Sequence, residues 1–128
     1  MSTLTAIKVI VLLDALLMAV GHVPIIRAIF HSFPIGVYFL FATVVYAIGG
    51  ILVVSGRLFK LANVSLIVLA IIDNLLLLYT RTMPNIFFPR VLPWSSDWFP
   101  PGTLQILVGQ CIIIVLCAVL LYKPKTQL

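Results

Sequence analysis

Glutamate is absent from this 128-residue chain, and three aspartates are its whole stock of acid. Charged residues of both signs amount to only 9% of the sequence, and no nucleophile-and-base pairing of the kind soluble enzymes use can be assembled from them. The two cysteines, Cys111 and Cys117, stand six positions apart. On a helix that spacing leaves them about 120° out of alignment, and the Cys-x-x-Cys pair of bundles that shuttle disulfides is missing. Of the two histidines, His22 falls at the edge of an apolar run and His31 in a loop. With no carboxylate near in sequence they read as solvated residues, and no metal or cofactor is expected. A glycine-rich phosphate loop following a strand is also missing. The net charge of +5 includes no dense basic run, so it points to lipid phosphates at the ends of spans and away from nucleic acid.

What the chain has in quantity is hydrocarbon. Apolar residues make up 63% of it and the mean hydropathy is +1.28, against roughly 45–50% apolar content in soluble domains. A soluble domain of this size hides only about two-thirds of its surface, so the excess needs lipid to cover it. Apolar runs cover residues 7–23, 35–54, 64–79 and 103–122. Segments of that length satisfy their own backbone in a bilayer only as helices, which predicts an all-α integral membrane protein, residues 1–128 forming one four-helix bundle. The first run imitates a signal peptide, with Lys8 before it and Ala19-Val20-Gly21 as a small-x-small site. Asp14 in mid-run, and apolar sequence resuming beyond Pro24, identify it instead as the first permanent span.

The spans carry signs of a doubled helix hairpin. Residues 33–57 and 99–123 both open Phe-Pro-x-Gly, align without a gap, and close on a cation 21 positions after the glycine. The helices before them share "VLLDALL" around Asp14 and "AIIDNLL" around Asp73, each followed eight positions later by a basic-capable residue, His22 and Arg81. Two spans separate equivalent positions, so the halves run in the same sense, related by an axis along the membrane normal. Within the second span Gly36, Thr43 and Gly50 recur every seven residues beside a stripe of Ala42, Gly49 and Gly56, and Gly102 and Gly109 begin the matching stripe of the fourth. Small residues at this spacing let helix backbones approach closely.

Asp14 and Asp73 are the chemically informative positions. An aspartate at the centre of a span costs about 2.5–3.5 kcal/mol on insertion scales, so each is expected to face the bundle interior, neutralised or hydrogen-bonded. Gln105, Gln110, Asn74, Asn63, Ser65 and Thr43 are the available partners. Two roles fit the acids: a proton- or cation-binding pair, or structural acids that fix which helix faces meet. The long connection 80–102 contains two Trp and five Pro. Such a stiff aromatic segment suits the headgroup level, and Arg90, Trp94 and Trp98 are the residues through which it could anchor to lipid or to a partner.

Three functions follow. The first is a small non-catalytic subunit of a larger membrane complex, associating with other membrane subunits or with itself. The second is a proton-coupled carrier of a small molecule or cation, acting as a homo-dimer with Asp14 as the coupling site. In its size, its four spans and the acid in its first span, the chain resembles the small multidrug resistance transporters, and that resemblance implies the carrier role. It departs from that family in having Asp where the family uses Glu, in its second acid Asp73, and in the long connection. The third is a quinone site beneath the aromatic loop using Arg81, Arg90 and His22, on analogy with quinone-reactive bundles.

Orientation follows from the cations. Lys8, Arg57, Lys60, Lys123 and Lys125 fall on one side of four crossings; Arg27, Arg81 and Arg90, offset by Asp97, fall on the other. This excess places both termini in the cytoplasm. Labels at residue 128 or within 57–60 are therefore expected to react from the cytoplasmic side and one at Ser95 or Ser96 from the opposite side; reaction of both sets from the same side overturns the four-span topology.

Overall fold

The computed structural model describes residues 2–23, 33–83, 93–94, 96, 98 and 101–122. Arg27, His31, Arg90, Ser95, Asp97, Lys123 and Lys125 lie outside them. The described residues form four α-helices: α1 (Thr3–His22), α2 (Phe33–Ser55), α3 (Phe59–Thr82) and α4 (Thr103–Tyr122). All four are long and apolar enough to cross a membrane. The chain is thus a multi-pass, all-helical membrane bundle.

Two helices extend well beyond the apolar runs, for reasons a hydropathy window does not register. α1 starts at Thr3 because Ser2 caps it: its side chain accepts from the backbone N–H of Thr5 at 3.1 Å, satisfying one of the otherwise orphaned donors of the first turn. α3 begins at Phe59, five residues before the run at 64, because the link from α2 is only residues 56–58. Gly56 takes φ +78° and Leu58 φ +49°, a left-handed pair that reverses the chain, and the Leu58 carbonyl then accepts from Ala62 N–H at 2.8 Å to start the new helix. Lys60, Asn63 and Arg81 are polar enough to end an apolar run without ending a helix.

Packing runs round a square. α1 meets α2, α2 meets α3, α3 meets α4 and α4 returns to α1, while the diagonals contribute little. Buried positions on α3, namely Leu66, Ala70, Asp73, Leu77 and Thr80, recur at alternating four- and three-residue steps, the seam of left-handed bundles. The opposite faces are apolar as well, with Leu13, Leu61 and Leu75 all more than 60% exposed, as helices bathed in lipid require. Near the start of α3, Lys8 of α1 lays its ammonium over the Phe59 ring, 5.3 Å from the centroid.

Small residues set the distances between helices. Gly36, Gly50, Gly102 and Gly109 are all buried. A Cβ on Gly50 would lie 2.9 Å from the Ala15 methyl of α1, and one on Gly49 2.8 Å from Leu66 of α3, so this glycine pair seats α2 against both neighbours. Gly109 does the same for α4 against Met18 and Asp14 of α1, and Gly21 for α1 against Pro101 and Ile106. Close approach of this kind yields the dispersion contacts that drive helix association in lipid.

The Ala15 methyl is fixed to a helix backbone and cannot move aside, so Gly50→Leu is expected to push α1 and α2 apart and cost about 1–3 kcal/mol. Thermal unfolding in detergent measures this, with the lipid-facing Ile51→Leu as a control expected to stay within about 0.5 kcal/mol. Equal stability of both variants means that the glycine seam does not hold the bundle.

Candidate functional site

The seam periodicity of α3 aims Asp73 at the bundle axis, where it is only 4% exposed. A bare carboxylate there would lack the hydration it has in water, and the other three helices supply donors in its place. From α2, Tyr38 donates its hydroxyl to Oδ1 and Tyr46, about two turns further on, donates to Oδ2 at 2.9 Å. From α4, Gln110 Nε2 donates to Oδ2 at 3.2 Å. From α1, His22 Nε2 lies 3.2 Å from the same oxygen. Tyr46, Gln110 and His22 are each at most 2% exposed.

Hydrogen-bond chemistry locates one proton of the histidine. Its Nδ1 lies 2.6 Å from the Met18 carbonyl, which can only accept, so Nδ1 carries a proton. Nε2 faces Asp73 Oδ2 across 3.2 Å. Three further donors converge on the carboxyl, and the His22 ring lies 5.4 Å from the Tyr46 ring and 5.7 Å from the Phe39 ring.

Asp14 has a different environment. Its neighbours Val11, Ala15 and Met18 take the core positions of α1, and Asp14 is turned towards α4 and lies over Gly109. Its Oδ2 is buried, and no hydrogen bond reaches it. In front of it an open groove of about 530 Å³ runs between α1 and α4 on the lipid-facing surface, lined by the exposed Leu13, Leu17, Leu104, Val108, Ile112 and Trp98. Its other polar side chain, Gln105, donates from Nε2 to the Ser96 carbonyl at 2.8 Å, and its Oε1 is also buried without a partner. Two unmatched acceptors thus stand in an otherwise apolar groove.

Of the partners expected for the acids, Gln110 is the one seen on Asp73. Thr43 donates to the Phe39 carbonyl, Asn63 to the Phe59 carbonyl, and Asn74 to the Cys111 sulfur at 3.5 Å. His22, expected to be solvated, is instead buried beside Asp73; the covering comes from α2 and α3, which an edge in the hydropathy of α1 does not reveal. A signal for it did exist. It was the base eight positions after each acid, a separation of about 12 Å along one helix, which requires a partner on a different helix. Arg81 donates to its neighbour Thr80 at 2.7 Å, and its Nε is buried without a partner. Trp94 and Trp98 are exposed, Trp98 at 83%. Among the described residues no three metal-ligating side chains come together, and both cysteines are free.

No protein-family model matches the chain, and no curated protein or solved structure is significantly similar to it. Any function must therefore be argued from these two acids.

Removing the centre of the Asp73 cluster is expected to cost more than removing one arm. Tyr46→Phe deletes a single donor and should lower stability by about 1–2 kcal/mol, whereas Asp73→Leu strands four polar groups and should cost about 3–5 kcal/mol. Thermal unfolding in detergent ranks them; a smaller loss for Asp73→Leu than for Tyr46→Phe shows that the cluster does not hold the helices together.

Proposed function

We propose that the protein is a proton-linked carrier of a small, lipid-soluble molecule, with Asp14 as the exchange site. One observation carries this reading: the buried, unpartnered oxygen of Asp14 at the wall of a groove large enough for a ligand. In hydrocarbon a carboxylate without a counter-charge or donors is strongly disfavoured, so Asp14 holds a proton whenever no ligand supplies them. A ligand that brings its own donors removes that requirement and lets the proton go. Ligand and proton are then alternatives at one oxygen, which is the coupling a carrier needs. Asp73 does not suit the same role, because its donors are supplied by the protein itself.

In this reading both termini face the cytoplasm, and a second copy of the chain can complete the pathway. The alternative of a non-catalytic subunit in a larger complex is favoured by Trp98, whose exposed ring at the end of the groove offers an anchor for a neighbouring protein.

Substitution at Asp14 separates these readings. Asp14→Asn keeps shape and hydrogen-bonding capacity while removing the exchangeable proton, so it should leave unfolding temperature nearly unchanged and abolish pH-driven flux in reconstituted vesicles. Absence of flux from the wild-type protein, together with its extraction in mild detergent as part of a fixed set of larger subunits, rejects the carrier and supports the subunit.

A further inference from the structure

The four helices divide into two bodies. α1 packs more extensively on α2, and α3 on α4, than the first pair does on the second. Where the pairs meet, Gly49 of α2 lies against Leu66 of α3, Gly21 of α1 against Ile106 of α4, and Gly109 of α4 against Met18 of α1. These seats are apolar, and dispersion alone leaves one face able to tilt over the other. The chain joins the pairs through residues 56–58. That turn is exposed, Gly56 and Leu58 are both left-handed at φ +78° and +49°, and a Cβ on Gly56 would meet nothing within 4 Å. A short turn with open space around its glycine can absorb a change of dihedral angle, as hinges do.

Polar contacts across the boundary stand well away from that turn. Tyr38, Tyr46 and His22 belong to the first pair, and all three meet Asp73 of the second. Asp73 lies fifteen residues beyond Leu58, about 22 Å along α3. His22 ends α1 and Tyr38 stands in the first two turns of α2, so the cluster sits towards the end of the bundle opposite the turn. We infer that Asp73 is a latch and the 56–58 turn a hinge: the two helix pairs rock about the turn, and the contacts of Tyr38, Tyr46 and His22 with Asp73 hold them closed at the far end. This goes beyond the reading of Asp14 and does not rest on it. A tilt of about 10° moves the helices by about 4 Å at the level of Asp73, further than a hydrogen bond can stretch, so the latch is either made or broken. Gln110 donates to the same carboxyl from α4, inside the second pair, and rocking leaves its bond intact. That difference separates a latch from a knot that stabilises the bundle as a whole.

Double electron-electron resonance on the full chain in phosphatidylcholine nanodiscs tests this, with Cys111→Ala and Cys117→Ala removing the native thiols. One pair of spin labels, at Leu40→Cys and Leu104→Cys, spans the two bodies at the far end. A second, at Val54→Cys and Tyr122→Cys, spans them at the end that holds the turn, and all four positions are exposed. Tyr38→Phe combined with Tyr46→Phe keeps the ring bulk and removes two bonds of the latch. It should add a component longer by about 5 Å or more at the far pair and leave the near pair unchanged. Gln110→Met removes a bond within the second body and should leave both distances unchanged. Absence of a longer component from the tyrosine variant overturns the inference. Equal lengthening at both ends also overturns it, because the bundle then loosens as a whole, and so does a far-end component in Gln110→Met as large as that of the tyrosine variant. If the double variant does not fold, Tyr38→Phe and Tyr46→Phe taken singly decide: a longer component confined to the far end in either one upholds the latch, and its absence from both rejects it.

Discussion

A single carboxyl group in hydrocarbon constrains this bundle more than any other feature. Helix packing in lipid is poorly directed by apolar contact, because a leucine on a neighbouring helix is no more attractive than a lipid chain. Asp73 removes that indifference. It accepts from Tyr38 and Tyr46 of α2 and Gln110 of α4, and it meets His22 of α1, so the rotation of every helix about its own axis is tied to one point. The link to His22 matters geometrically as well, since α1 and α3 are diagonal partners that otherwise scarcely touch. Glycines at the seams then fix how closely helices approach once their faces have been chosen, with Gly49 and Gly50 serving the two sides of α2.

Much of the architecture was legible in the sequence because the bilayer imposes so few solutions. Four apolar runs in a chain this short leave little besides a four-helix bundle, and the heptad glycines pointed to the close seams. Helix ends were less legible: the cap at Ser2 and the reversal at Gly56 to Leu58 are backbone events, outside what averaged hydropathy measures. The acids were conspicuous by their cost. Their partners were not, apart from Gln110. A tyrosine in an apolar run, such as Tyr46, reads as bulk, and only the register of α2 against α3 makes its hydroxyl a ligand for Asp73. Thr43, Asn63 and Asn74 looked equally available, but the first two turned to carbonyls of their own helices and the third to a cysteine.

Two aspartates with similar flanking sequence thus reach opposite outcomes. Local sequence sets what each costs to bury, and the facing helix sets whether that cost is offset. Around Asp73 the offset is complete enough to make a rigid knot, in which moving any helix breaks a buried polar contact. Around Asp14 there is no such knot. The α1–α4 seam is held by close approach at Gly21 and Gly109, the latter in the wall of the groove.

That contrast separates the two acids. A site that exchanges a ligand must have a ground state that is not already satisfied, and it must be carried on helices whose relative placement does not depend on the exchanging group. Asp73 meets the second condition by anchoring all four helices without the help of Asp14, and the proposed exchange at Asp14 rests for the first on its buried, unpartnered oxygen beside the groove.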